Sequence, residues 1–400
     1  MKNLLCIGFS KSDSPSSGVN DFCRYAANCG YGSNLPDYPK LGDFANYLLI
    51  GVNVFAGNNY QGSDLDSITK PAGKGSISTC PASSTFGLSR FSQLKNADNS
   101  DAWTPVPAYE VDVLKTGWVV ATQDVSGGGS SSYITVFAVT NNNGSLILGS
   151  AQTVSVFTYA MPPDAPQKGT TNLLDTMDGR LTNAVASIDP ANGNQMAIWT
   201  QHTIDEDFGS AVAWYEINPS ASTQFQHGEI IPPGSALVYI FNAAISSDRK
   251  VNGSGASFGA DMAIGFNTSS SSTFVTDDVI TQVASAPPSP SSQFKQVASS
   301  SAAFQQAFAC NTNSPDDCRW GDYSGASPDP SGNRGAVWFT NTLVDSTGNW
   351  ATRNWEAIAG NITEYPLPTS GSAPDGITAG SDGNLWFTEN QNNKIGKLTP

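Results

Sequence analysis

The recurrence of short apolar runs constrains this chain of 400 residues most. Runs rich in β-branched and aromatic residues occupy 47–55, 117–124, 133–140, 150–159, 196–201, 211–218, 236–242, 262–267, 336–341 and 384–389. Gly, Asn, Asp, Pro and Ser bound them, as strands require. Tight-turn signals such as Asn142-Asn143-Gly144 and Ser381-Asp382-Gly383-Asn384 join several of them. No long segment repeats apolar residues at i, i+3, i+4 and i+7, so long helices are not expected. Charged residues make up 13% of the chain, about half the globular norm. Gly, Ser, Asn and Thr fill the difference, which suits turns and polar strand faces.

The runs gather into groups near 37–70, 109–157, 183–230, 237–283, 319–359 and 362–400. A spacing of roughly 40–50 residues is the period of propeller blades. The sequence therefore predicts an all-β chain, a β-propeller of six or seven four-stranded blades, with seven favoured. Residues 4–25 are expected to close the ring against the C-terminal blade, which removes exposed strand edges. Residues 1–360 would hold most blades, and 361–400 one further blade completing the same propeller. Two segments break the period. Residues 160–182 carry Pro162-Pro163 and Pro166, and 284–318 are rich in Ser, Pro, Ala and Gln. Both read as long surface loops of the kind that shapes a binding face. Two similar phrases, Asp37-Tyr38-Pro39-Lys40-Leu41-Gly42 and Gly321-Asp322-Tyr323-Ser324-Gly325, each precede an apolar strand.

The net charge is −15. Nucleic acid is not an expected partner, because phosphate contacts need clustered Lys and Arg. A neutral or cationic ligand, or a divalent cation, suits that field better. No stretch approaches the ~20 apolar residues of a membrane helix, so membrane insertion is not expected. Two cysteine pairs lie close in sequence, Cys23/Cys29 and Cys310/Cys318. Their spacings are not those of zinc sites. They read as loop-closing disulfides, which leaves Cys6 and Cys80 to pair with each other. Disulfides imply a secreted or cell-surface protein. The first residues lack the pattern of an export signal, so that signal is expected upstream of residue 1.

Residues 362–400 hold the sharpest motif. Ile362-Thr363-Glu364-Tyr365-Pro366-Leu367-Pro368-Thr369 leads to Asp382-Gly383-Asn384-Leu385-Trp386-Phe387-Thr388-Glu389. Asn393-Lys394-Ile395-Gly396-Lys397-Leu398-Thr399-Pro400 follows. This resembles one repeat of the virginiamycin B lyase-like (streptogramin lyase) propellers. The resemblance implies the propeller scaffold. It also implies a magnesium-dependent site of histidines and a glutamate near the axis, and it brings Glu389 into the ligand-binding set. In that family's catalytic blade a histidine follows the "WFTE" phrase; here Asn390 does. Residues 1–360 resemble, less specifically, large exported bacterial propeller proteins.

Other candidates come from the residues themselves. His202 precedes Asp205, Glu206 and Asp207. An imidazole beside carboxylates suits a general base or a cation ligand, and a solvated loop histidine is the alternative. Asp178 and Arg180, beside Asp175, form a ligand clamp or a loop-ordering ion pair. Glu216 alternates with Trp214 and Tyr215 on a strand, away from the face they bury. Asp322 and Tyr323 follow Arg319-Trp320 and precede a strand, a place near a propeller's channel. Magnesium or calcium are the candidate cofactors, and Asp277-Asp278 and Asp316-Asp317 offer oxygen ligands. Three function classes fit. The first is an extracellular binding or scaffold module for glycan or peptide. The second is a metal-dependent lyase of the streptogramin B type acting on a small cyclic peptide, with His202 or His227 as base. The third is a carbohydrate-active hydrolase with paired carboxylates.

Overall fold

The computed structural model describes residues 3–12, 14–15, 19–70, 76–232, 237–251, 258–283, 294–310, 318–330, 334–358, 376–380, 382–389 and 394–399, and the backbone of 361–365. Strands β1 (Leu5–Ser10) and β2 (Phe22–Ala27) form an antiparallel pair. Blade one is β3 (Leu35–Phe44), β4 (Tyr47–Ala56), β5 (Asn59–Thr69) and β6 (Leu88–Phe91). Blade two is β7 (Ala102–Pro107), β9 (Thr116–Gln123) and β10 (Ser130–Asn142), with β11 (Ser145–Leu148) and β12 (Gln152–Ala160) both paired to β10. Between β7 and β9, the short strand β8 (Tyr109–Glu110) leaves the blade. It pairs in parallel with the first strand of blade three. Blade three is β13 (Leu181–Asp189), β14 (Gln195–Glu206), β15 (Gly209–Asn218) and β16 (Thr223–Ile230). Blade four is β17 (Tyr239–Ser247), β18 (Met262–Ser270), β19 (Thr273–Gln282) and β20 (Lys295–Ser299). Blade five is β21 (Gly325–Pro328), β22 (Val337–Val344), β23 (Trp350–Ile358) and β24 (Asn361–Tyr365). Blade six is β25 (Ile377–Ala379), β26 (Leu385–Glu389) and β27 (Lys394–Leu398).

The first strand of each blade adjoins that of the next, from β3 through β7, β13, β17 and β21 to β25. Among the described residues the propeller therefore has six blades, within the expected six or seven. Residues near the N-terminus make a sheet of their own, packed on blade one through Leu5, Ala27, Tyr31, Ile50, Val52 and Val54. The strand at 361–365 pairs with β23, so it belongs to blade five and not to the last blade.

Strand alternation explains the stacking. In β4, Leu49 faces blade two, while Ile50, Val52 and Val54 face the β1–β2 sheet. In β15, Ala211, Ala213 and Tyr215 face blade two, while Val212 and Trp214 face blade four. Each fully buried side chain of this size contributes about 1.5–3 kcal/mol, so the clusters between blades hold the ring together.

Inner strands bulge near their starts. The register shifts between Asp37 and Lys40, Trp103 and Val106, Leu181 and Asn183, and Phe241 and Ala244. Tyr38, Thr104 and Asn242 have φ values of +54°, +48° and +50° at these bulges. Buried amides from neighbouring blades secure them. Asn53 accepts the Thr104 N–H at 3.1 Å and donates to the Thr104 hydroxyl at 2.9 Å. Asn341 donates to the Asn242 carbonyl at 2.9 Å. Gln201 donates to the Ala243 carbonyl. Close approach is needed here: a Cβ on Gly51 would lie 1.8 Å from the Pro105 carbonyl oxygen.

The cysteine pairing expected from sequence is corrected at two places. Cys23 bonds Cys80, and Cys310 bonds Cys318; Cys6 and Cys29 are free thiols. Cys23 lies inside β2, where it is fully buried. The chain near Cys80 is brought alongside β2, as the hydrogen bond from Tyr25 to the Pro81 carbonyl shows. Cys29 instead packs with the β1–β2 cluster. Burial, reinforced by Asp66, pushes its thiol up to about 12. Cys6 is exposed on β1, opposite Ala26.

The amide clasp carries a prediction. Asn53→Ala leaves the buried Thr104 N–H unpartnered and is expected to cost about 2–3 kcal/mol in urea unfolding. Asn59→Ala, on an exposed side chain of β5, is expected to change stability by less than about 0.5 kcal/mol.

Candidate functional site at the axial mouth

Bulges re-aim side chains, and here they gather a cluster at the starts of the inner strands. The Tyr38 hydroxyl donates to the Asp322 carbonyl at 2.7 Å, and Lys40 Nζ reaches the same oxygen at 3.3 Å. Lys40 Nζ lies 3.9 Å from the Tyr38 ring centroid and 4.5 Å from that of Tyr323. Those rings are 5.3 Å apart. The Arg180 guanidinium lies 4.7 Å from the Tyr38 centroid and 5.0 Å from the Trp103 centroid. It donates two hydrogen bonds to Asp178. Arg319 pairs with Asp322.

Burial divides the cluster. Tyr38, Lys40 and Trp103 are buried. The Arg180 and Asp178 side chains are nearly so. The Arg319 side chain is 69% exposed and that of Asp322 28%. Tyr323 is half-buried and Asp37 exposed. A ligand from solvent thus meets Tyr323, Asp322, Arg319 and Asp37 first. The inner members set the field. Burial pushes the Tyr38 phenol well above its ordinary range. Burial opposes the charge of Arg180, but Asp178, Tyr38 and Asp175 more than offset it and raise its pKa. Burial raises the Asp175 carboxyl despite the hydrogen bond from the Met177 N–H. The Asp322 charge raises Arg319.

Both long insertions shape this mouth. Ala165 and Leu174 bridge one another, and Leu174 bridges Cys318. The Cys318 N–H donates to the Leu173 carbonyl at 2.8 Å, and the Asp175 N–H to the Cys318 carbonyl at 3.0 Å. Gln167 exchanges two hydrogen bonds with the Phe304 backbone. The Cys310–Cys318 disulfide lies in the same apolar cluster as Leu174, Phe304 and Trp320. Below the mouth, the Tyr109 hydroxyl of β8 bonds Thr378 of β25. The strand β8 packs beside β3 of blade one as well as β13 of blade three.

Comparison with known proteins bears on the C-terminal part. Residues 328–400 match the Virginiamycin B lyase family. A stretch of 38 residues is 50% identical to virginiamycin B lyase of Bacillus licheniformis, covering 10% of this chain and 13% of that protein. The C-terminal part of the propeller is thus similar to virginiamycin B lyases, and the chain spans only about an eighth of the length of that curated relative. Among solved structures, virginiamycin B lyase of Staphylococcus aureus is 15% identical over 99% of both chains, with a TM-score of 0.41. The α-L-arabinanase of Penicillium chrysogenum is 11% identical over 99% of this chain and 98% of that one, with a TM-score of 0.45.

Among the described residues, no group of three His, Cys, Asp or Glu side chains suits a metal ion. His202 is fully buried between blades two and three. Its Nδ1 lies 2.7 Å from the Gly179 carbonyl and its Nε2 3.0 Å from the Tyr215 hydroxyl. Burial lowers it to about 4. His227 stands on β16 with its ring edge-on to Phe157. The residues present therefore do not fit a histidine-held magnesium.

The other candidates fall into two sets. Asp178, Arg180, Asp322 and Tyr323 meet at the mouth. His202 is buried behind them, against the Gly179 carbonyl, and Glu216 and Glu389 stand elsewhere. Glu216 is buried in β15 and accepts from Gln226 at 2.8 Å. Burial and a hydrogen bond to Asp189 push its carboxyl up to about 9. Glu389 ends β26, buried, opposite Lys394. Asp277 and Asp278 accept hydrogen bonds from Asn267, Thr268 and Thr276, and Asp316-Asp317 lie outside the described residues. Tyr38, Lys40 and Trp103 were not foreseen as site residues. The kinship of the Asp37–Gly42 phrase with the phrase around Tyr323 was the signal for the first two.

Two predictions follow from these placements. The double variant Cys310→Ser, Cys318→Ser is expected to lose about 2–3 kcal/mol, with faster hydrogen exchange at 173–178 in mass spectrometry. His202 makes stability fall with acid. The unfolded imidazole protonates near 6.5 and the folded one near 4, so protons favour unfolding between these values. About 3 kcal/mol is lost from pH 6.5 to 4, and no more below. Of the two histidines, one is expected to titrate near pH 4 by NMR.

Proposed function

We propose that this propeller is an extracellular binding module that takes a glycan at its axial mouth. The observation that carries the reading is the convergence of Tyr38, Arg180 and Tyr323, from three separate inner-strand leads, into one cluster. Half-buried Tyr323 offers a ring edge and face to a sugar. Beside it, the Arg319–Asp322 pair provides donors and acceptors matched to neighbouring hydroxyls. Arg–carboxylate pairs hold such groups in fixed geometry. The two disulfides suit an oxidising compartment. The buried lower part of the cluster holds the upper part in place, which limits the entropy lost on binding.

A metal-dependent lyase is the second reading, and the match over residues 328–400 favours it. His202 is buried behind the Asp178–Arg180 segment, held by the Gly179 carbonyl and the Tyr215 hydroxyl, and His227 stands on β16, so a base at the mouth would be a carboxylate such as Asp175. A hydrolase needs two carboxylates facing a bond. Asp178 and Asp322 are each engaged by an arginine instead.

A glycan array followed by calorimetry tests the reading. Tyr323→Ala and Arg319→Ala are each expected to weaken binding about 10-fold, or about 1.4 kcal/mol. His227→Ala is expected to leave it unchanged. A linearised cyclic peptide product, or array binding that ignores Tyr323, would move the assignment away from a binding mouth.

A further inference from the structure

Blades three and five end alike, away from the mouth. Ser187-Ile188-Asp189 ends β13, Ser327-Pro328-Asp329 runs out of β21, and a proline follows each. Each of these buried aspartates has a buried glutamate in its own blade, Glu216 on β15 and Glu356 on β23. Both glutamates stand opposite a tryptophan, Trp199 and Trp338. In blade five an arginine neutralises the pair. Arg334 lies 2.6 Å from Glu356 Oε1 and 3.4 Å from Asp329 Oδ2. The turn after Asp189 carries Asn192 instead, a neutral amide that donates to Asp189.

The donors around the blade-three pair divide unequally. Asp189 Oδ1 accepts the Ala191 N–H at 2.7 Å, and Oδ2 accepts the Asn192 amide. Two accepting oxygens suit an ionised carboxylate. Glu216 Oε2 accepts from Gln226 at 2.8 Å. Its Oε1 is buried and receives no well-formed hydrogen bond. Asp189 and Asn192 are the other polar neighbours of this carboxyl. Two carboxylates in contact away from water do not both ionise. A hydroxyl at Oε1 that donates to Asp189 resolves the conflict.

The neighbouring elements supply no substitute for that proton. Asp112 accepts the Ile188 N–H and is held by Arg249, which follows β17. Asp248 accepts from the Gly259 and Asp261 backbones. On β16, His227 and Glu229 alternate with Gln226 and so face the other side. On β14, Asp205 and Glu206 lie at the opposite end, and Lys295 on β20 is exposed.

We infer that Asp189 and Glu216 share one proton at neutral pH, and that this proton latches blade three to blade four at the end away from the mouth. Gln226 passes the tie on, since Gln282 of β19 donates to it at 3.1 Å. Loss of the proton sets two like charges in contact, so the latch opens in alkali. Burial first, and then Asp189, push the Glu216 carboxyl from an ordinary 4.5 up to about 9. The folded chain keeps a proton that the unfolded chain gives up, so stability falls as pH rises between those values.

Infrared difference spectra of the full chain, wild type minus Glu216→Gln, test the shared proton. The C=O stretch of a protonated carboxyl is expected at pH 7 and is expected to vanish above about pH 10. Asp189→Asn, read directly, is expected to shift that loss about one pH unit or more downward. Should Glu216→Gln fail to fold, wild type against Asp189→Asn reads the same band. Hydrogen exchange at 190–195 and 224–228, corrected for its intrinsic pH dependence, is expected to quicken above pH 9 in the wild type alone. No band at pH 7, or one whose titration Asp189→Asn leaves in place, overturns the shared proton. Exchange that quickens equally in Glu216→Gln overturns the latch. A band abolished at pH 7 by added Ca²⁺ reassigns the pair to a metal and overturns both.

Discussion

Buried amides clasp the inner strands, and much else depends on that. An extended inner strand sends its side chains alternately into the two blade junctions. A bulge breaks that alternation and frees one residue to point along the channel. Such a bulge leaves backbone groups outside the sheet ladder, and buried ones are costly when unpaired. Asn53, Gln201 and Asn341 meet that need from adjacent blades. Each clasp therefore ties two blades together at the level of the mouth. The same bonds support the left-handed backbone at Thr104 and Asn242, which neither residue favours alone.

The mouth inherits its order from these ties. Tyr38 sits at a bulge of β3, and Trp103 immediately precedes one in β7. Arg180 leads into β13, and Asp322 and Tyr323 into β21. Two insertions then frame the cluster by bonding to each other, through Gln167 with Phe304 and Leu173 with Cys318. Placing a guanidinium between two aromatic rings with a bidentate carboxylate keeps it charged in a buried setting.

The sequence revealed the large pattern and hid the local one. Six groups of apolar runs anticipate the six blades, because strands announce themselves by composition and turn residues. Residues 4–25 also read as strands, expected to close the ring against the C-terminal blade. Their destination depends on packing against Ile50, Val52 and Val54, which spacing does not encode. Arg180, Asp178, Asp322 and Tyr323 were legible as charged or aromatic phrases at strand leads. His202 was misleading, because carboxylates following in sequence point away from a side chain that turns into the core. Asn53, Asn267 and Asn341 were readable in retrospect as polar residues inside apolar strands. The phrases Ser187-Ile188-Asp189 and Ser327-Pro328-Asp329 mark the far ends of inner strands, a repeat that periodicity alone passes over. The Cys310–Cys318 pair was legible from its short spacing, but the partner of Cys23 was not, since Cys80 is 57 residues away.

The short strand β8 has one further consequence for the ring. It departs from blade two, pairs with β13 of blade three and packs beside β3 of blade one, where the Glu110 carboxylate accepts the Ala45 N–H. Three successive blades therefore share one two-residue strand at the far ends of their inner strands. The ring cannot part at either of those two junctions without breaking the same short segment, so blades one to three open together or not at all.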